Sequence, residues 1–147
     1  IYTFLKRTSP YPSFVSFDAS SREVCLVDRI RTNTPLQALT TLNDPVYIEA
    51  AKNLAAIMKK EAKGDLKSGI AAGYRHTMFR DLSADKLAAL EKLYAQAYDN
   101  FEKRPGEAEK FLGKDHVSPD RKELLSDAAY TLVANALLNL DEFLTKS

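Results

Sequence analysis

SPDRKELLSDAAYTLVANALLNL, residues Ser118–Leu140, is the stretch on which the fold turns. Ser118 has the hydroxyl of an N-cap, and Pro119 suits the first helical position, where a backbone N–H has no partner to lose. From Ala128 to Leu140 the segment is apolar nearly all round, the pattern of a helix enclosed by others. Its exceptions fall four apart: Asp127, Thr131, Asn135 and Asn139 form one narrow polar stripe. Two readings of that stripe stand side by side. It faces water, or it hydrogen-bonds a non-helical segment laid across the helix, for which Arg31 to Thr34 is the candidate. On the second reading Arg31 and Asn33 tie the N-terminal segment to the stripe.

Working outward, the rest of the chain is rich in helix signals. RTNTPLQALTTLNDP (Arg31–Pro45) writes Thr34-Pro35 and Asp44-Pro45, two cap-plus-proline starts, with Gln37 where a capping box places its partner. A short helix to about Leu42 and a second one after Asp44 follow, the latter closing at Gly64. A third helix spans about Leu66 to Phe79, with Gly69 and Gly73 marking close approach of a neighbouring helix backbone. A fourth begins at Ser83 and breaks at Arg104-Pro105-Gly106, and a short piece surrounds Glu107 to Leu112. Residues 1–34 hold no helical period for long and read as an extended strap carrying Tyr11, Phe14 and Phe17. A weak alternation in Val24 to Ile30 is the one strand-like signal. The expectation is an all-α protein, an irregular helical bundle of about five to six helices with a long extended N-terminal segment packed on it. Residues 1–147 make one domain, strap 1–34 and helical body 35–147. Its start at Ile1 leads to the expectation of a fragment of a longer protein, with Ile1, Tyr2 and Phe4 at a severed interface.

Composition narrows the function. The 147 residues are 45% hydrophobic and 28% charged, with 21 Lys+Arg against 20 Asp+Glu and a net charge of +1. That balance argues against a nucleic-acid or anionic-membrane surface as the main partner, since those need clustered positive charge. No run is long and apolar enough for a membrane span. The single Cys25 allows neither an internal disulfide nor a CxxCH haem attachment, and reads as a small buried hydrophobe. His76 reads as a surface residue, and His116 sits in a charged loop without an evident partner. No metal site and no cofactor are expected within this domain. No G-x-S-x-G elbow, P-loop, HExxH or GxGxxG is present, and no catalytic residue is assigned. Asp141-Glu142 and Asp81 with Asp85 read as helix ends and solvated faces. Candidate binding residues are Asp18, Arg22, Glu23, Arg31, Asn33, Thr34, Gln37, Asn43 and Asp44. Two adjacent helix N-termini beside Arg31 suit a carboxylate or a sugar hydroxyl unless the caps occupy those donors internally.

The segment YTFLKRTSPYPSFVSFDASSREVCLVDRIRTNTPLQALTTLNDPVYIEAA (Tyr2–Ala51), with ALLNLDEFLT at the other end, resembles the uncharacterised C-terminal domain of large secreted proteins best known from planctomycetes. Around Tyr74 to Leu90 the likeness is looser, with Asp81-Leu82-Ser83 where a proline-containing turn is more usual. The resemblance implies an extracytoplasmic setting, a long parent protein that often carries a cytochrome c-like module, and haem held, if at all, in another domain. It suggests Phe17-Asp18, Arg22 to Cys25 and Arg31 to Pro45 as the family's signature surface. The leading functional expectation is a non-catalytic structural or interaction module whose partners are other domains of the same parent. The rival is a ligand-binding or hydrolytic domain acting on polysaccharide, with its site at the strap and first helix starts.

Overall fold

Thr34 and Asp44 behave as their positions demand, and the fold is built outward from them. The computed structural model describes residues 6, 8–19, 32, 34–113, 116–118 and 120–144. Thr34 and Gln37 close a reciprocal capping box that launches α2 (Pro35–Asn43), and Asp44 accepts the Val46 N–H to launch α3 (Pro45–Ala62). The Asp44-Pro45 pair turns a corner between the two helices because Pro45 has no N–H to continue the first. Lys63 and Gly64, both at positive φ, end α3, and Asp65 caps α4 (Leu66–Met78) through the N–H groups of Lys67 and Ser68. Then come α5 (Ala84–Lys103), α6 (Pro105–Leu112), α7 (Arg121–Leu138) and the single turn α8 (Asp141–Leu144).

All described elements are helical, as expected, and the count is eight rather than five or six. The additions are short. α8 follows a break at Asn139-Leu140, and α1 (Pro12–Ser16) lies inside the segment expected to be extended. Pro12 at the first helical position starts α1, and five residues give no room for an amphipathic period to declare itself. The last long helix also starts later than Ser118. Asp120 is its N-cap, accepting the Glu123 N–H at 2.7 Å, and Ser118 is occupied elsewhere. Ile1, Tyr2 and Phe4, Cys25 and the alternation Val24 to Ile30 lie outside the described residues.

α7 is the central element, packed most extensively against α3, α5 and α6 and also touching α2 and α4. Val133, Ala134 and Leu137 are fully enclosed between α3 and α4, joined by Met58, Ile70 and Tyr74. A second, smaller cluster forms where α6 meets the start of α7, around Ala108, Leu112, Leu125 and Ala128. The two glycines of α4 do mark close approach. A Cβ on Gly69 would stand 2.8 Å from Ala62 Cβ and 3.0 Å from the Met58 carbonyl, and one on Gly73 would stand 2.6 Å from the Met58 sulfur. That spacing lets α3 and α4 meet nearly backbone to backbone. Among the described residues no helix is long and apolar enough to cross a membrane.

Candidate functional site

The expected site assembles around Gln37, which is 3% exposed. Its Oε1 accepts the Thr34 N–H at 3.0 Å, closing the capping box. Its Nε2 donates to the Ser16 carbonyl at 2.9 Å and to Thr32 Oγ1 at 2.8 Å. Thr32 in turn donates to the Asp18 carboxylate. Asp18 sits just after α1 at φ 52, a left-handed position that a short polar side chain tolerates. One glutamine therefore joins the end of α1, the residues before α2 and α2 itself.

Asp44 does the same at the other end of α2. Its Oδ1 accepts the Val46 N–H at 2.9 Å, while Oδ2 accepts the Ser13 hydroxyl at 2.9 Å and the Tyr11 hydroxyl at 3.4 Å. The Val46 N–H first, then Ser13 and Tyr11, hold the Asp44 carboxyl below the usual aspartate value. Phe17 stacks on Tyr47 with ring centroids 6.2 Å apart, closing the corner with aromatic contact. Asn43 turns back on its own helix, its Nδ2 donating to the Leu39 carbonyl at 2.8 Å. Asp18, Thr34 and Gln37 are thus brought together at the start of α2 and Asp44 stands at its exit, all with polar atoms directed at protein groups. Arg22, Glu23, Arg31 and Asn33 lie outside the described residues.

The polar stripe of α7 is not a water-facing strip, since Thr131 and Asn135 are 2% and 5% exposed. Thr131 bonds back to the Asp127 carbonyl. Asn135 and Asn139 have long-range partners, as the second reading expects, but on the helix α2 rather than on a non-helical segment. Asn135 Nδ2 donates to the Leu42 carbonyl at 3.3 Å, and the Thr41 hydroxyl donates to Asn139 Oδ1 at 2.5 Å. The corner at Asp44-Pro45 explains the choice. The Leu42 carbonyl would have bonded the Val46 N–H, but Asp44 takes that donor. The Thr41 carbonyl faces Pro45, which has none. The exit of α2 therefore presents unsatisfied acceptors, and the amide of Asn135 supplies one of them. The proposed part of Arg31 and Asn33 in this contact falls outside the described residues.

Lower on the stripe, Asp127 gathers a cluster that sequence reasoning did not assemble. Lys59 on α3 bonds Asp127 Oδ1 at 2.5 Å and Glu123 at 2.7 Å. Burial pulls the Lys59 ammonium down, yet its bonds to Asp127 and Glu123 outweigh this and hold it above the usual lysine value. On the other oxygen, Asp127 receives His116 Nε2 at 3.0 Å and the Ser118 hydroxyl at 3.2 Å. His116 therefore has a partner, contrary to expectation. The spacing of Glu123 and Asp127, four apart on one helix face, was legible; that Lys59 from α3 would sit between them was not.

Serine, histidine and aspartate together invite comparison with a nucleophilic triad, and the atoms rule against it. His116 presents the same nitrogen, Nε2, to Ser118 (2.9 Å) and to Asp127. A relay needs the hydroxyl on one nitrogen and the carboxylate on the other, so that the free lone pair meets the nucleophile. Here a carboxylate that only accepts requires Nε2 to carry the proton, and the Ser118 hydroxyl donates to that same carboxylate. The cluster fastens the α6–α7 loop to α7. It borders an open groove of about 560 Å³ between α3 and α7, where Lys52 Nζ also bonds the Leu112 carbonyl at 2.5 Å.

A family model described as PSD1, protein of unknown function (DUF1553), matches residues 1–94, well over half of the chain. The chain belongs to the PSD1 family. No curated protein and no solved structure matches it. The PSD1 match contains the whole α1–α2–α3 corner and all of α4, and ends within α5. The stripe on α7 lies beyond it, so the corner bonds of Asn135 and Asn139 join the matched part to the remainder of the helical body.

Proposed function

We propose that this PSD1 chain is a non-catalytic structural and interaction module of a larger extracytoplasmic protein, whose partners are other domains of that protein. The observation that carries the reading is Gln37. It is buried and bonded through both ends of its amide to Thr34, Thr32 and Ser16, and so serves as a brace between the N-terminal segment and the body. Asp44, at the exit of α2, is bonded on both oxygens in the same way. A binding site holds donors and acceptors toward a ligand, whereas these are directed at backbone and neighbouring hydroxyls. Haem or another redox group of the parent would be held by a different domain.

The reading predicts that Gln37→Ala lowers the stability of the chain by about 1–3 kcal/mol, because several buried groups lose partners at once. Urea unfolding measures this. Retention of the chain on a panel of insoluble polysaccharides should match that of an unrelated helical protein. Retention that Asp18→Ala or Gln37→Ala abolishes, in variants that stay folded, would replace the scaffold reading with the polysaccharide one. Removing residues 1–147 from the parent should impair its folding and secretion rather than its action on one substrate.

A further inference from the structure

α1 and α2 stand apart from the apolar core. Among the described residues neither apolar cluster contains a member from these two helices, and α1 buries no residue. The buried residues of α2 are the polar Gln37 and Thr41, at 3% and 0% exposure, while Leu36, Leu39 and Leu42 form an outward ridge at 58%, 58% and 43%. α2 meets α3 and α7 far less extensively than those two meet each other.

The hydrogen bonds divide along the same line. Gln37 to Ser16, Thr32 to Asp18, and Ser13 and Tyr11 to Asp44 all run within the pair, tying α1 to the start and the exit of α2. Across the seam to the helical body run the bond of the Thr41 hydroxyl to Asn139, that of Asn135 to the Leu42 carbonyl at 3.3 Å, and the stacking of Phe17 on Tyr47. The seam is also imperfect, since Asn135 Oδ1 is buried there and meets no donor. A buried acceptor without a partner penalises the closed arrangement.

We infer that α1 and α2 open from the helical body and reclose as one unit, while the packed core of α3 and α7 stays folded. Apolar burial is the main force that holds elements together, and this seam contains little of it, so opening costs far less than unfolding the core. The bonds within the pair survive the opening, so the two short helices move together rather than fraying separately. The pair joins the body at Asp44-Pro45, where Pro45 has no N–H to carry α2 on into α3. Residues at the ends of elements, as these are, act as hinges. The corner is then the movable part of the molecule, and its opening uncovers Asn135 and Asn139 on α7.

Native-state amide exchange of the intact chain, followed by NMR in low urea, tests this. The helix-bonded amides of α2 should exchange about a hundredfold faster than those of Val133 and Leu137, and should share one urea dependence shallower than that of global unfolding. Val133 is fully enclosed in the core, so Val133→Ala should speed exchange along α7 about tenfold and leave α2 within about twofold of its original rate. Thr41→Val removes a bond of the seam and should speed exchange in α2 about fivefold or more. An equal loss of protection in α2 and α7 on Val133→Ala shows one cooperative unit and overturns the inference. So do α2 amides that exchange one by one without urea dependence, which is fraying, and exchange in α2 that Thr41→Val leaves unaltered. None of these measurements involves a partner, so failure of the scaffold reading would leave the opening untouched, and the reverse holds.

Discussion

Thr41 is the residue that most directly joins the two ends of the sequence. Its hydroxyl reaches Asn139 from 98 positions away while the residue itself is wholly buried. Thr41→Val keeps the shape, removes the donor and should cost about 1–2 kcal/mol in urea unfolding. In a double-mutant cycle with Asn139→Ala the coupling should exceed about 0.5 kcal/mol, and strict additivity would show that the bond contributes nothing. The glycines of α4 make a second test at this scale. Alanine favours a helix interior by about 1 kcal/mol over glycine, so propensity alone predicts that both Gly→Ala changes stabilise. Contact reverses this at Gly69, where the new methyl meets a backbone carbonyl and Ala62 Cβ, neither of which yields easily. Gly69→Ala should therefore destabilise by about 1–3 kcal/mol. Gly73→Ala should cost less, because the atoms it meets belong to the pliable Met58 side chain. The close approach was legible from the glycine spacing; which neighbour made it was not.

Among elements, α8 shows how much one side chain can hold. Glu142 accepts Lys86 at 2.7 Å, Arg80 at 2.7 Å and the Tyr74 hydroxyl at 3.0 Å, fastening the last turn to α4, α5 and the loop between them. Asp141-Glu142, read from sequence as an ordinary acidic helix end, is in this respect a junction. The Lys86 bond, then Tyr74 and the charge of Arg80, hold the Glu142 carboxyl below its usual value against the opposing effect of burial. The same direction holds for Asp44 and for Asp65, whose carboxyl is held down mainly by Ser68. A carboxyl lowered on folding contributes stability in full above the unfolded value of about 4, and loses it as pH falls through the folded value. The unfolded chain takes up protons first in that window, so stability falls as acid is added. The urea midpoint should be level from about pH 7 to pH 5 and drop below about pH 4. Glu142→Gln should flatten part of that drop; an unchanged acid limb would show that α8 is not held by this charge.

For the whole molecule, the pairing of α3 with α7 is where stability concentrates. Leu137 is fully enclosed, and Leu137→Ala should cost about 2–5 kcal/mol in guanidinium unfolding. Leu39→Ala on the outward ridge of α2 should change stability by less than about 0.5 kcal/mol. A large loss from Leu39→Ala would mean that the ridge is covered within the chain itself. Amide exchange should be slowest along α7, which is packed on several sides, and fastest in α1 and α8, each a turn or so long.

By itself the sequence determined that the chain is helical, where α2, α3 and α4 begin, and that α7 is the most enclosed element. Those features rest on signals that act within about four residues: a capping hydroxyl or carboxylate, a proline without its N–H, an apolar repeat. They need no knowledge of what lies across the core. Only the tertiary structure decided that the stripe of α7 would bond the exit of α2, that Lys59 would sit between Glu123 and Asp127, and that α2 would turn its amide inward and its leucines out. Each of these joins residues far apart in the chain, and local propensity carries no information about which distant group will fill a vacant hydrogen bond. In α2 the helix signal was legible but the buried face was not, because the groups that Gln37 and Thr41 bond are brought there by distant parts of the chain.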